Sequence, residues 1–377
     1  MYYNKFKDLQ LSALGLGCMR LPTTGKYANI DVEATRQMVD YAMKNGINYY
    51  DTAWGYHDGH SEPVIGEILS AYPRESFYLA SKFPGYNTEN LAKVDEIFHK
   101  QLQRCRVDYF DFYLLHSVND RNVDGYLDEK YGVKDYFVAQ KRAGKIRHLG
   151  FSCHGGLNTI KRILDAYGEE IEFCMLQINW LDWELQNAKA KVELVASYGI
   201  PVWVMEPVRG GTLVNLRDDY KARLDAVNPN APAVEWAFRF IQSLPQVVMT
   251  LSGMSNFDQL KQNIDIFSQR QPLTDEQMTT ILSISQEIVQ KDIIHCTSCR
   301  YCTAHCPLEL DIPWFIKLFN EHKYTGGGFI THPEFSKMPA EKLPFACLGC
   351  QACEAVCPQD IKVSKVMSAV AQRMKKL

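Results

Sequence analysis

Two runs of cysteine carry the most specific chemistry in this chain. Cys296, Cys299, Cys302 and Cys306 are spaced C-x2-C-x2-C-x3-C with Pro307 behind them, and Cys347, Cys350, Cys353 and Cys357 repeat the pattern with Pro358. Thiolates this dense bind soft metals. The remaining cysteines, Cys18, Cys105, Cys153 and Cys174, are scattered and read as structural. A second group is polar: Asp51, Tyr56, Lys82 and His116 lie at or just beyond the ends of three short apolar runs, "INYYDTA", "FYLASKF" and "YFDFYLLHS". A carboxylate, a phenol, an ammonium and an imidazole make a proton-transfer set.

The cysteine spacing is the ligand pattern of a bacterial two-cluster ferredoxin. Three cysteines, each two residues from the next, wrap one corner of a cubane while the loop amides face its sulfurs. The fourth leaves with the next helix and reaches the partner cluster. Cys296, Cys299, Cys302 and Cys357 are therefore expected to hold one [4Fe–4S], and Cys347, Cys350, Cys353 and Cys306 the other. Zinc is the alternative metal, but zinc ribbons use pairs of C-x2-C rather than runs of four with a proline stop. The insert "DIPWFIKLFNEHK" has helical periodicity, which points to a mainly helical ferredoxin-like domain.

The polar set suits reduction of a carbonyl. A free tyrosine, with a pKa near ~10, is a poor acid at neutral pH. An adjacent ammonium from Lys82 is expected to lower that value. Asp51 is suited to keep the buried lysine charged. A neutral His116 would donate to the carbonyl oxygen, and Tyr56 would protonate it as hydride arrives at carbon. Each residue alone has a plain reading as a cap, a surface group or a satisfied core histidine. At successive strand ends they read as a site.

Those strands belong to a longer alternation. From the start to about residue 265, short apolar runs alternate with amphipathic stretches such as "VEATRQMVDYAMKNG" and "LNTIKRILDAYG". Eight strand–helix units are the count for a (β/α)8 TIM barrel, whose chemistry sits at the C-terminal ends of the strands. A doubly wound sheet is the rival, but no G-x-G-x-x-G follows the first strand. The opening "MYYNKFKDLQLS" reads as a hairpin capping the barrel floor. The expected domains are a barrel over 1–272, a connector helix over 273–292 with Thr274 as N-cap and Gln277 as its capping-box partner, and a two-cluster domain over 293–377.

Bulk properties agree with an α/β enzyme. Of 377 residues, 46% are hydrophobic and 23% charged, and the net charge of −3 gives no nucleic-acid footprint. The basic end at Arg373, Lys375 and Lys376 reads as a solvated tail. "MYYNKFKDLQ" lacks the apolar core of a signal peptide, and no run has bilayer-spanning length. A cytoplasmic location follows, with no nucleic-acid or membrane partner, and there thiols stay reduced.

On its barrel pattern, its "GLGCMRLP" opening and its Asp51, Tyr56, Lys82, His116 tetrad, the first ~265 residues resemble the aldo-keto reductase family. The whole chain resembles the subgroup carrying a C-terminal two-cluster ferredoxin domain. The resemblance implies NADPH lying across the barrel top, with Ser152 and Gln177 at its carboxamide and Met205 where the family stacks an aromatic ring. Cys153 replaces the asparagine of the usual Ser-Asn pair. It further implies Arg209, Gly210, Gly211 and Leu213 along the pyrophosphate, and Gly253, Met254, Ser255, Gln259 and Asn263 around the adenosine. Gly253 and Gln259 stand where the family places basic residues for the 2′-phosphate, so the nucleotide is NADP or NAD. Hydride moves two electrons and a cubane one, so coupling them calls for a carrier. No flavin fingerprint is visible, although a barrel top can hold FMN. A small carbonyl substrate and a redox partner protein are the expected partners. The alternative reading is a non-catalytic redox-sensing or regulatory barrel with structural clusters. Trp54, Tyr86, Trp180 and Trp183 read equally as pocket-mouth aromatics or as core.

Overall fold

The computed structural model describes residues 1–229, 231–294, 296, 300–325, 338–357 and 359–374. Two compact units emerge: Met1–Pro207 with Glu235–Asp275, and Val208–Val234 with Glu276–Leu377. The first is a closed eight-stranded parallel barrel, preceded by an antiparallel pair, β1 (Tyr3–Phe6) and β2 (Leu9–Ser12). Its strands are β3 (Leu14–Gly17), β4 (Tyr49–Asp51), β5 (Tyr78–Phe83), β6 (Phe110–Val118), β7 (Ile146–Cys153), β8 (Ile171–Gln177), β9 (Val202–Met205) and β10 (Val247–Gly253), with β10 closing on β3.

The strands follow from alternation. Phe112 and Leu114, Phe173 and Met175, and Met249 and Leu251 sit two apart, so each pair faces the same way and enters the barrel's buried cluster. Gly15 is small because it must be: a Cβ there would stand 2.7 Å from Leu251 Cδ2. The hairpin turns through Lys7, whose φ is 53°, and sends Phe6 edge-on against Trp203 at 5.1 Å. Phe6 joins the same core cluster and plugs the floor, as the opening residues suggest.

The second unit is built twice from one pattern. A left-handed residue, Arg300 or Gln351, precedes a short helix, Tyr301–Ala304 or Ala352–Ala355. The amides of Cys306 and Cys357 then turn back to Thr303 and Glu354, both at 3.2 Å. Another left-handed residue follows, Glu309 or Asp360, and then a longer helix, Ile312–Thr325 or Val363–Met374. Leu310, Phe315, Ile316, Val363 and Met367 form the core between them. Segment 208–234 belongs here as well. Arg223 donates to Glu287 Oε2 and Ser283 Oγ on helix Asp275–Asp292, both at 2.7 Å. No helix among the described residues is long and apolar enough to cross a membrane.

At the barrel floor Glu172 on β8 gathers Lys7 at 2.8 Å, Lys141 at 2.7 Å and His148 Nδ1 at 2.5 Å. Burial alone would raise this carboxyl, but the hydrogen bonds from His148, Lys141 and Lys7 outweigh it and hold it at about 2. A carboxylate depressed on folding stabilises above its unfolded pKa, near ~4.3, and that contribution fades as pH falls through about 2. Glu172→Gln is therefore expected to cost about 2 kcal/mol at pH 7. Urea denaturation should show the wild-type advantage shrinking as the buffer is taken from pH 5 to pH 2; a pH-independent difference contradicts the assignment.

Candidate functional site

Asp51 ends β4, Lys82 lies one residue from the end of β5, and His116 lies two from the end of β6. The register pairs Asp51 with Ala80 and Lys82 with Leu114, so the three strand ends are neighbours. The Lys82 ammonium is 1% exposed. It donates to Asp51 Oδ1 at 2.5 Å, to the Thr52 carbonyl at 2.8 Å and to the Tyr56 hydroxyl at 3.3 Å. Three donors meet three acceptors, which is what a buried ammonium needs to stay charged.

A defect in the sheet aims His116. The β6–β7 register slips between Leu115 and Val118, and Ser117 adopts φ 55°. The Ser117 amide leaves the ladder and donates to Ser152 Oγ at 2.8 Å. Such a bulge redirects a side chain at a strand end. Tyr126 fixes the result by reaching the carbonyls of His116 at 2.6 Å and Phe83 at 3.2 Å. The imidazole then stands edge-on to Tyr56, with ring centroids 5.8 Å apart, and to Tyr86 at 5.2 Å.

The charges are set by burial. His116 is held well below the usual histidine range by desolvation, then by the charges of Lys82 and His154, so the ring is neutral. Tyr56 is pushed well above the usual phenol range, first by burial and next by Asp51. This reverses the expectation that Lys82 lowers it. Burial is the larger cause, and the Lys82 ammonium, engaged with Asp51 at 2.5 Å, presents Tyr56 with a near-neutral pair rather than a lone cation to offset it. The phenol therefore keeps its proton in the resting site.

The residues expected around a nucleotide have varied surroundings. Ser152 accepts from Ser117 and keeps its own hydrogen to donate. The Gln177 amide nitrogen donates to Asp182 Oδ2 at 2.8 Å, which leaves its oxygen as the acceptor. Cys153 is buried and takes the Gly155 amide on sulfur at 3.2 Å. Met205 packs on the barrel core. Met254 and Asn263 are buried, and Asn263 donates to Ser252 Oγ at 3.1 Å. Ser255 and Gln259 form a turn, the Ser255 amide donating to Gln259 Oε1 at 2.8 Å. Arg20, absent from the sequence argument, lies alongside: a Cβ on Gly253 would stand 3.0 Å from its Cβ, and Ser255 Oγ donates to its carbonyl. Arg209, Gly210, Gly211 and Leu213 fall in the second unit, where Gly210 and Gly211 take φ 68° and 93° and Leu213 is buried.

Two cavities in the second unit sort the cysteines. One is lined by Cys306, Cys347, Cys350 and Cys353. The other is lined by Cys296, Cys302 and Cys357. Cys299, expected in the second set, lies outside the described residues, as does Pro358. The fourth cysteine of each run thus faces the cavity of the other run. Among the described residues no three His, Cys, Asp or Glu converge on a point where a single ion would sit. A zinc ion holds four ligands within ~2.3 Å of one centre, whereas a cubane keeps its thiolates apart.

Residues 13–286 match the model of the aldo/keto reductase family. The chain belongs to that family. Residues 292–361 match a 4Fe-4S dicluster domain, so this reductase carries an iron–sulfur tail. The uncharacterised oxidoreductase YqkF of Bacillus subtilis is 26% identical over 314 residues, covering 75% of this chain and 96% of its own. The NADH-specific methylglyoxal reductase of Escherichia coli is 27% identical over 224 residues, covering 55% of this chain and 66% of its own. Among solved structures, an aldo-keto reductase from Bacillus halodurans in its holo form aligns with a TM-score of 0.62 at 28% identity, over 75% of this chain and 96% of that one.

Behind the tetrad this reductase buries a second carboxylate that the sequence argument passed over. Glu62 accepts from Ser81 Oγ at 2.7 Å and from the Gln101 amide at 2.5 Å, and Arg104 stands 3.3 Å away. Gln101 also reaches the Lys82 carbonyl at 3.0 Å, bracing the strand that carries the ammonium. The only sequence signal was "SEPVIGE", a helix start whose Gly66 lets helix Ser61–Leu69 lie directly on the backbone of Arg104 and Cys105. Arg104 covers the Trp54 ring at 3.9 Å. Of the other ambiguous aromatics, Trp180 is core at 1% exposure, Trp183 packs on Phe240, and Tyr86 is 42% exposed beside His116. Lys82→Met is expected to cost about 3–5 kcal/mol, because it strands a buried carboxylate. Adding Asp51→Asn should recover most of that loss in urea denaturation; strictly additive losses would show that the pair is not coupled.

Proposed function

We propose that this chain reduces a small carbonyl compound with a nicotinamide nucleotide, Tyr56 giving the proton, and that its eight tail cysteines hold two [4Fe–4S] clusters. The observation that carries the first half is the saturated Lys82 ammonium, bound at once to Asp51, the Thr52 carbonyl and the Tyr56 hydroxyl. The nicotinamide, when bound, supplies a hydride. The chain's own residues do the rest. His116, neutral and edge-on to Tyr56, donates to the carbonyl oxygen and favours the negative charge that gathers there. Tyr56 passes its proton to that oxygen; the C=O π bond breaks as C–H and O–H bonds form. The phenolate left behind lies 3.3 Å from Lys82 Nζ, so the ammonium acts on the product of proton transfer more than on the resting phenol. Solvent returns the proton.

A phenol held well above its usual range stays protonated through neutral pH. Reduction is therefore expected to stay level between about pH 7 and 9, with no alkaline fall from Tyr56 below ~10. Methylglyoxal, the substrate named for the Escherichia coli relative, is the probe, assayed without oxygen with NADH and with NADPH. Tyr56→Phe should cut kcat by about a thousandfold with little change in KM. Wild-type turnover in that variant would remove the assignment.

For the tail, the cavities and the crossed cysteine sets support two clusters, which when bound exchange single electrons. Anaerobically purified protein is expected to contain about eight iron and eight sulfide per chain, and Cys353→Ser about half. Zinc in place of iron would overturn this part alone.

A further inference from the structure

The residue after Tyr56 is a buried histidine that the chemistry above does not use. His57 is 1% exposed. Its Nδ1 lies 2.6 Å from the Tyr27 carbonyl, and its Nε2 lies 3.1 Å from the Leu21 amide. Both partners are backbone, so the roles are not open: a carbonyl only accepts and an N–H only donates. The ring is therefore the neutral tautomer with hydrogen on Nδ1 and a lone pair on Nε2. Tyr27 stacks on it at 4.4 Å with the planes 20° apart.

The backbone here needs such a clamp. His57 and Asp58 take φ 51° and 54°, two successive left-handed residues without a glycine. Each costs on the order of 1–2 kcal/mol and persists only if the surroundings hold it. Their turn begins at Tyr56. The imidazole ties it to the stretch that follows β3, beside two further ties: the Cys18 amide on the Asp51 carbonyl at 2.8 Å and Ser61 Oγ on the Cys18 carbonyl at 3.0 Å.

We propose that His57 is the positioning residue for Tyr56: donating from Nδ1 to Tyr27 and accepting at Nε2 from Leu21, it pins the turn that carries the phenol, and protonation at Nε2 releases it. This rests on the reading of Tyr56 as the proton donor. Protonation turns the acceptor into a second donor facing an N–H, so the Leu21 bond must break. On its own turn the charged neighbours oppose one another, Asp58 favouring protonation and His60 resisting it. From the facing segment come the Tyr27 carbonyl, which favours protonation, and the Tyr27 phenol, itself raised by burial and sensing Arg20. Burial dominates and keeps the imidazole below its ordinary range. The latch is closed at neutral pH and opens only in acid.

The test uses the full-length, cluster-loaded chain with methylglyoxal and NADH or NADPH. His57→Asn is informative because asparagine tolerates the left-handed backbone, keeps a donor near the Nδ1 position and does not titrate. Wild type should lose kcat on an acid limb lying below ~6.5. His57→Asn, which keeps the tie to Tyr27 but offers the Leu21 amide no acceptor, should abolish that limb and hold kcat at the lowered acid level of the wild type at every pH. His57→Ala should lower kcat about tenfold or more at every pH, with nucleotide KM unchanged. Hydrogen exchange of peptides spanning 18–30, a readout independent of turnover, should quicken about tenfold at pH 8 in His57→Ala. A wild type without an acid limb, His57→Asn retaining the wild-type limb, or His57→Ala with wild-type kcat and exchange overturns the proposal. Tyr56→Phe separates the two ideas. If it inactivates while the His57 variants are silent, only the positioning role falls; if it stays active, the proton-donor reading falls and with it the positioning role, leaving the exchange data to report only on the clamp.

Discussion

Everything at the barrel's reactive end depends on keeping one ammonium charged out of water. A buried N–H without an acceptor is costly, and Lys82 has three of them to place. The barrel supplies acceptors from three sources: a carboxylate that ends the neighbouring strand, a carbonyl just beyond it, and the phenol at the start of the next turn. Two of the three are side chains of named type. The other is backbone, present only because β4 stops where it does. Helix Ser61–Leu69 and the Glu62–Gln101 contacts then hold β5 from behind, so the cation's position is set by packing on more than one side.

The iron–sulfur tail solves a different problem with repetition. Cys347, Cys350 and Cys353 gather around one hollow and Cys296 and Cys302 around the other, each run sends its last cysteine to the other's hollow, and the left-handed residues at Arg300 and Gln351 let the loop curl before its short helix begins. With few other core residues, the cysteines themselves belong to the apolar cluster.

How far the molecule was legible beforehand depended on what each feature required. Alternating apolar residues specified the barrel, since Phe112 and Leu114 can share a face only in a strand. The cysteine runs specified their own cross-over by spacing. Asp51, Lys82 and His116 were visible because strand ends are readable. The direction of the Tyr56 shift was not, because it turns first on how deeply the phenol is buried and then on the nearby Asp51 charge, neither of which spacing encodes. Glu62 looked like an ordinary acidic residue in a helix's first turn. His57 was hidden for a related reason: its partners are main-chain atoms of residues 21 and 27, which have no side-chain signature. Trp180 stayed ambiguous until its burial could be measured.

The division of the chain has a consequence for where it can be cut. The polypeptide passes between the two units three times, at 207–208, 234–235 and 275–276. A module simply appended to a finished barrel would need one passage. Here residues 208–234 group with the second unit, where Arg223 pairs with Glu287 on helix Asp275–Asp292. A single cut near residue 275 would therefore part residues 208–234 from helix Asp275–Asp292, which Arg223 binds.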